Sequence, residues 1–200
     1  LASKEVLVMA GSIVMPMVKR YNSRMIPVDS EHSAIFQCLG SRAPHNVARL
    51  ILTASGGPFR NAPRAEMEHA TWKRALAHPT WSMGEKVSLD SATLMNKALE
   101  MVEASFLFDV PESRIDVVVH PQSIVHSMVE FTDGVLIAQM SMPDMRFPIQ
   151  YAFTFPERCP GGLERLDLAR TGKLEFEAPD TSRFPSLDFA RTALRAGGTM

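Results

Sequence analysis

The feature that most constrains this chain is the stretch from Ile115 to Gln139, where Ile115 to Val119, Ser127 to Phe131 and Val135 to Gln139 are β-branched or alternate apolar with polar residues. Such runs suit a pleated, half-buried surface, and Asp133-Gly134 between the last two is a hairpin signal. A further short strand, Arg49 to Thr53, precedes them. Helical patterns surround the strands. Val6, Met9, Ile13 and Met17 recur at three- and four-residue intervals over 5–19, and residues 90–108 form the clearest helix, with Asp90 or Ser91 as N-cap and Pro111 beyond its end. Met25 to Val28 reads as a short apolar strand, with Asp29-Ser30-Glu31 at its end. Pro63, Pro79 and Gly84 cut 60–87 into short helical pieces on a mobile, lid-like segment. Past Phe155, several Pro and Gly residues spell an extended linker before a short helix near 186–196. The expected fold class is therefore α/β, a mixed α+β core with a central sheet and flanking helices.

Composition removes several functions. With 46% hydrophobic and 22% charged residues, the 200-residue chain has the makings of a core and none of the bias of disorder. A net charge of −1 argues against a nucleic-acid partner held by a broad basic surface, while leaving room for a local phosphate site. No apolar run approaches the roughly 18 residues of a membrane span. Cys38 and Cys159 form no disulfide framework or CxxC pattern, which suits a reducing, cytoplasmic setting, and both read as buried small hydrophobes. The chain opens without Met, and neither end has a natural start or tail, as expected of a piece of a longer protein.

Candidate chemistry gathers in several places. Asp29 and Glu31, two apart at a strand end, suit a shared hard cation such as Mg²⁺ or Mn²⁺, with Glu100 as a third carboxylate. The plainer alternative is that Asp29 caps a helix starting at Ser30 and Glu31 stabilises its first turn. On the helix from Ser91, Asn96, Lys97 and Glu100 share one stripe, which suits a phosphate at the helix start with metal beside it. Against this stands a solvated face carrying a Lys97–Glu100 surface pair. Ser55-Gly56-Gly57 offers a compact turn that approaches a phosphate or serves only as a turn. His78 and Trp81 suit a closing lid or a packed loop, and His120 and His126 read as satisfied structural histidines.

Taken together, Leu1-Ala2-Ser3-Lys4-Glu5, PVDSEH at 27–32, SGGPFR at 55–60, HPTWSMG at 78–84, DSATLMNKALE at 90–100, HPQSIVHSM at 120–128 and PDMRFP at 143–148 resemble, in the same order, the 1-deoxy-D-xylulose 5-phosphate reductoisomerase family. The resemblance implies NADPH- and metal-dependent rearrangement and reduction of a small phosphorylated sugar by a homodimeric enzyme, with Mg²⁺, Mn²⁺ or Co²⁺. It implies Asp29, Glu31 and Glu100 as metal ligands, and Lys4 and Ser30 on the sugar. Glu31 and Glu100 would touch substrate too. Ser55, Ser91, Asn96 and Lys97 fall at phosphate-binding positions, His78 at a substrate contact, and Trp81 and Met83 in the closing loop. Ser3, Glu5 and Gly84 fall at NADPH-contacting positions, and Met145 near the nicotinamide pocket. The family usually has Asn at the position of Ser3, and a basic residue or proline at that of Glu85. The implied division is 1–29 as the end of a Rossmann-like NADPH domain, 30–154 as a catalytic domain with a mobile loop at about 55–85, and 155–200 as a linker and the start of a C-terminal helical domain. Two rivals are a metal-dependent sugar-phosphate hydrolase and a non-catalytic folded or dimerising fragment.

Overall fold

A computed structural model describes residues 1–40 and 46–197. Its centre is a four-stranded sheet of β1 (Val47–Ala54), β2 (Ile115–Val119), β3 (Val125–Phe131) and β4 (Leu136–Met140), in the order β2-β1-β3-β4. Strand β1 runs parallel to β2, with Leu50 opposite Ile115, and antiparallel to β3, with Leu52 opposite Ser127. The β3–β4 hairpin closes where expected: Gly134 takes φ +84°, a conformation glycine adopts without a Cβ penalty, and the Asp133 carboxylate accepts from the Val135 N–H at 3.0 Å.

Helices α1 (Glu5–Arg20) and α2 (Ser30–Leu39) precede the sheet. Between β1 and β2 come α3 (Arg64–Glu68), α4 (Trp72–Ala75), α5 (Glu85–Ala92) and α6 (Met95–Phe108). After β4 follow α7 (Arg146–Thr154), α8 (Leu168–Thr171) and α9 (Ser186–Ala196). The main core joins Leu50, Leu52, Ile115 and Val129 of the sheet to Ile35 of α2, Met101 of α6 and Leu187 of α9. Each such buried aliphatic contributes about 1.5–3 kcal/mol. The mixed α/β class thus holds, and α9 covers the span expected of the last helix. None of the described helices is long and apolar enough to cross a membrane.

Several expectations need correction. The helix expected over 90–108 is two helices. Leu94 sits between them at φ +57°, buried in a second apolar cluster with Ala92, Phe59 and Phe184, and that burial offsets the roughly 1–2 kcal/mol of a left-handed leucine. Ser91 consequently lies in the last turn of α5, not at a helix N-terminus. No strand forms at Met25 to Val28: Pro27 has no N–H to give, and the pairing is limited to Leu1 N–H to Ile26 and Val28 N–H to Leu1, at 2.6 and 2.8 Å. The apolar stripe of α1 faces outward, with Met9 77% and Ile13 64% exposed. Leu7 and Gly11 face inward instead, and a Cβ at Gly11 would meet the Phe106 ring of α6 at 2.4 Å, so glycine sets the close approach of the two helices. Cys38 is buried as expected, but Cys159 is exposed. Helices α7 and α8 had no counterpart in the sequence reading.

Candidate active site

The carboxyl end of β1, the starts of α1, α2 and α6, the last turn of α5 and the 78–83 loop enclose a cavity of about 340 Å³. Sites outside the carboxyl ends of strands are the usual ligand positions of α/β folds, and this volume suits a small molecule. A larger groove of about 860 Å³ between α1 and the far end of α6 is mostly apolar, lined by Met15, Phe106 and Leu107 among others. The chemistry lies in the smaller cavity.

Lys4, at the N-cap of α1, extends its ammonium to Asp29 Oδ2 at 2.7 Å, Asn96 Oδ1 at 2.7 Å and Glu100 Oε1 at 2.9 Å. Lys97 bridges Glu31 Oε1 at 2.6 Å and Glu100 Oε2 at 2.5 Å. Asn96 Nδ2 donates to Glu100 Oε1, and Ser30 Oγ to Glu31 Oε2, each at 2.5 Å. Asp29 stands at the N-cap of α2, yet its carboxylate caps nothing and turns to Lys4, while Glu31 occupies the first turn. Helix geometry, not strand alternation, therefore brings these two acids together. Lys97 and Glu100 are 3% and 1% exposed, which overturns the alternative of a solvated surface pair.

Burial and opposed charge act against each other throughout the cluster. Burial alone would lower the Lys4 ammonium, but Glu100 and Asp29 outweigh it and hold Lys4 charged. Lys97 is raised in the same way by Glu100 and Glu31. Asp29 stays well below the usual carboxylate range because Lys4 and His32 overcome its burial. Glu31 goes the other way: burial and neighbouring Glu100 push it up to about 7 despite Lys97. Three carboxylates thus face two ammonium groups. One ligand atom each from Asp29, His32 and Glu100 lies within 4.8 Å of the others, whereas Glu31 is held by Ser30 and Lys97. An oxygen-rich, negatively biased donor set of this kind fits a hard divalent ion.

On the other wall, the Gly56-Gly57 turn after β1 sits hard against α5, where a Cβ at Gly57 would meet the Ser91 carbonyl oxygen at 2.5 Å. Ser55 Oγ lies 2.8 Å from His78 Nε2. His78 Nδ1 accepts from the N–H groups of Trp81 at 2.8 Å and Thr80 at 3.1 Å, so Nε2 carries the proton and donates to Ser55. Burial lowers His78, in keeping with this neutral ring. Trp81, Met83, Ser91, Glu5 and Met145 also line the cavity. Ser3 and Gly84 stand outside the lining: Ser3 donates to Glu5 at 2.7 Å, and the space where a Gly84 Cβ would sit is open for at least 4 Å.

Sequence reasoning missed His32 and Glu103, both buried beneath the cluster. The signal for Glu103 was present, since it continues the three-residue stripe of Lys97 and Glu100. His120 is a satisfied structural histidine, with Nδ1 donating to Glu175 at 2.8 Å and Nε2 accepting from Ile124 and Val125 N–H groups at 3.1 Å. His126, paired with Ser141 at 2.9 Å, is likewise held, and it also borders the cavity.

A half-enclosed cavity with convergent charges at the mouth of an α/β sheet is the build of a small-molecule site, not of a macromolecular surface. Residues 25–108 match the 1-deoxy-D-xylulose 5-phosphate reductoisomerase C-terminal domain, and residues 140–200 match a second DXP reductoisomerase C-terminal domain. A Caulobacter vibrioides 1-deoxy-D-xylulose 5-phosphate reductoisomerase is 59% identical over 198 residues, 99% of this chain and 50% of the relative. The Zymomonas mobilis enzyme solved with NADPH superposes with a TM-score of 0.92 at 46% identity, over 98% of this chain and 51% of that one. A DOX-P reductoisomerase solved with NADPH, fosmidomycin and magnesium gives 0.93 at 46% identity, over 98% and 51%. The chain belongs to the 1-deoxy-D-xylulose 5-phosphate reductoisomerase family, and it spans about half the length of the curated relatives it matches.

Proposed function

We propose that the full-length protein carrying this chain converts 1-deoxy-D-xylulose 5-phosphate to 2-C-methyl-D-erythritol 4-phosphate by an NADPH- and divalent-metal-dependent rearrangement and reduction, in the non-mevalonate route to isoprenoid precursors. The observation that carries this reading is the convergence of Asp29, Glu31 and Glu100 with Lys4 and Lys97 in one cavity. Support comes from relatives of that name, and from a structural neighbour solved with NADPH, fosmidomycin and magnesium.

In this reading Asp29, Glu31 and Glu100 hold the ion, and Ser3, Glu5, Gly84 and Met145 form the rim of the NADPH site. When bound, the divalent ion supplies Lewis-acid polarisation of substrate oxygens and NADPH supplies a hydride. The chain's own residues bind and orient. Lys4 and Ser30 hydrogen-bond the sugar, and the Lys4 ammonium offsets negative charge that develops beside it. Ser55, Ser91, Asn96 and Lys97 anchor the phosphate, so that binding at the remote end fixes the reacting carbons. His78 holds Ser55 and the start of the 78–83 loop together, and Trp81 closes over substrate to exclude water. Residues 1–29 end an NADPH-binding domain, 30–154 form the catalytic domain with its loop at 55–85, and 155–200 lead into a C-terminal helical domain. The complete protein is a cytoplasmic homodimer that also accepts Mn²⁺ or Co²⁺.

The test is NADPH oxidation by the full-length protein with 1-deoxy-D-xylulose 5-phosphate and Mg²⁺. Turnover should depend on both NADPH and the ion, and Glu100→Gln should abolish it. Phosphate release without NADPH would instead identify a hydrolase.

A further inference from the structure

Two buried polar atoms beneath the ionic cluster lack a hydrogen-bond partner, Nδ1 of His32 and Oε2 of Glu103, and they face each other at 3.4 Å. Neither residue has a role in the proposed function. The other ring nitrogen of His32, Nε2, lies 3.0 Å from the backbone carbonyl oxygen of Glu100. A carbonyl only accepts, so Nε2 carries a proton. Nδ1 then points at two carboxylates, Glu103 at 3.4 Å and Oδ1 of Asp29 at 3.8 Å. A bare lone pair on Nδ1 facing the equally buried Glu103 Oε2 is strongly unfavourable, so a proton must lie between the ring and Glu103. The ring has no room to turn away, because it is fully buried and stacked on Phe108, with centroids 6.1 Å apart and planes 9° from parallel.

We infer that Glu103 and His32 are a positioning pair: Glu103 holds the imidazole in place, and the imidazole in turn fixes the Asp29 carboxylate and the α6 backbone at Glu100, two sides of the proposed ion site. This inference rests on the reading of Asp29, Glu31 and Glu100 as ligands. Outer partners of this kind orient ligands without touching the ion, and their loss typically weakens metal affinity about 10- to 100-fold. The alternative is direct ligation through Nδ1, since one ligand atom each of His32, Asp29 and Glu100 lies within 4.8 Å of the others.

The experiment is Mn²⁺ binding to the full-length protein, titrated by electron paramagnetic resonance, with ¹⁴N couplings recorded on the bound ion. Wild type should bind Mn²⁺ with no directly coordinated nitrogen, and Asp29→Asn should abolish binding. Glu103→Gln should bind about 10- to 100-fold more weakly, and kcat should fall more than the KM for substrate changes. If that variant does not fold, Glu103→Asp, which keeps the charge on a shorter arm, takes its place with the same readout. Affinity within twofold of wild type in a folded Glu103 variant, or a coordinated imidazole nitrogen in wild type, would overturn the inference and leave the ion site standing. No Mn²⁺ binding by wild type would remove the ion site itself and the inference with it.

Discussion

Helix α6 buries two faces by opposite means. Ala98, Met101 and Ala104 pack against the sheet and α9, while Lys97, Glu100 and Glu103 look toward α1 and α2, and none of the six is more than 3% exposed. The apolar face stabilises the fold directly, roughly in proportion to the area it removes from water. The ionic face contributes little net stability, because desolvating its charges cancels most of their attraction, yet losing one member strands the others. Burial alone therefore does not reveal what a residue is for. The apolar face is explained by folding, and the ionic face only by the chemistry it prepares.

The sharpest way to break this contrast is to remove a single charge. Without divalent ions, Lys97→Met should destabilise the protein by roughly 3–5 kcal/mol in urea unfolding, because Glu31 and Glu100 are left facing each other. Combining it with Glu31→Gln and Glu100→Gln should recover most of that loss. If the triple variant were as unstable as the single one, the ionic face would be structural after all. On the apolar face, Met101→Ala should cost roughly 2–5 kcal/mol by leaving a cavity, and no second substitution at the ionic face should restore it.

A pH comparison gives the next largest effect. Burial depresses His126 to about 4, so between that value and 6.5 the unfolded chain binds the proton more readily than the native one. The stability linked to neutral His126 is fully present above pH 6.5 and is lost as pH falls toward 4. Relative to His126→Gln, wild type should lose about 2 kcal/mol between pH 7 and pH 5, following 1.36 kcal/mol per pH unit below 6.5. A constant difference over that range would show that the ring is charged or well hydrated. Smallest should be Arg49→Ala, which removes pairs to Asp116 at 2.8 Å and Glu130 at 2.7 Å from a half-exposed position. Its cost should stay within about 1 kcal/mol and shrink in salt; a larger loss would erase the distinction between surface and buried charge.

The strands, the hairpin and the last helix were legible in the sequence because period, β-branching and an Asp-Gly pair are local signals. Helix α1 was legible as a helix, but its orientation was not. Periodicity marks an apolar stripe without naming the surface it meets, and here Val6, Met9, Ile13 and Met17 point away from the described core. The break at Leu94 was hidden because good helix formers flank a left-handed turn whose cost is met by tertiary burial. Of the proposed site, the stripe of Asn96, Lys97 and Glu100 could be read from spacing. The approach of Lys4, 96 residues from Glu100, could not, and only the family resemblance pointed to it. Glu103 extends the same stripe, but a carboxylate near a helix end reads as solvated until the fold brings His32 over it.

Lys97, Glu100 and Glu103 stand three residues apart along α6. Each step of three residues falls about 60° short of a full turn, so the outer two lie roughly 120° apart around the α6 axis. Lys97 reaches Glu31 and Glu103 faces His32, which are adjacent on α2. Deleting or inserting one residue between 97 and 103 would swing one of these contacts aside by about 100° while leaving the helix itself intact. The six-residue interval from Lys97 to Glu103 is therefore constrained in composition and count together.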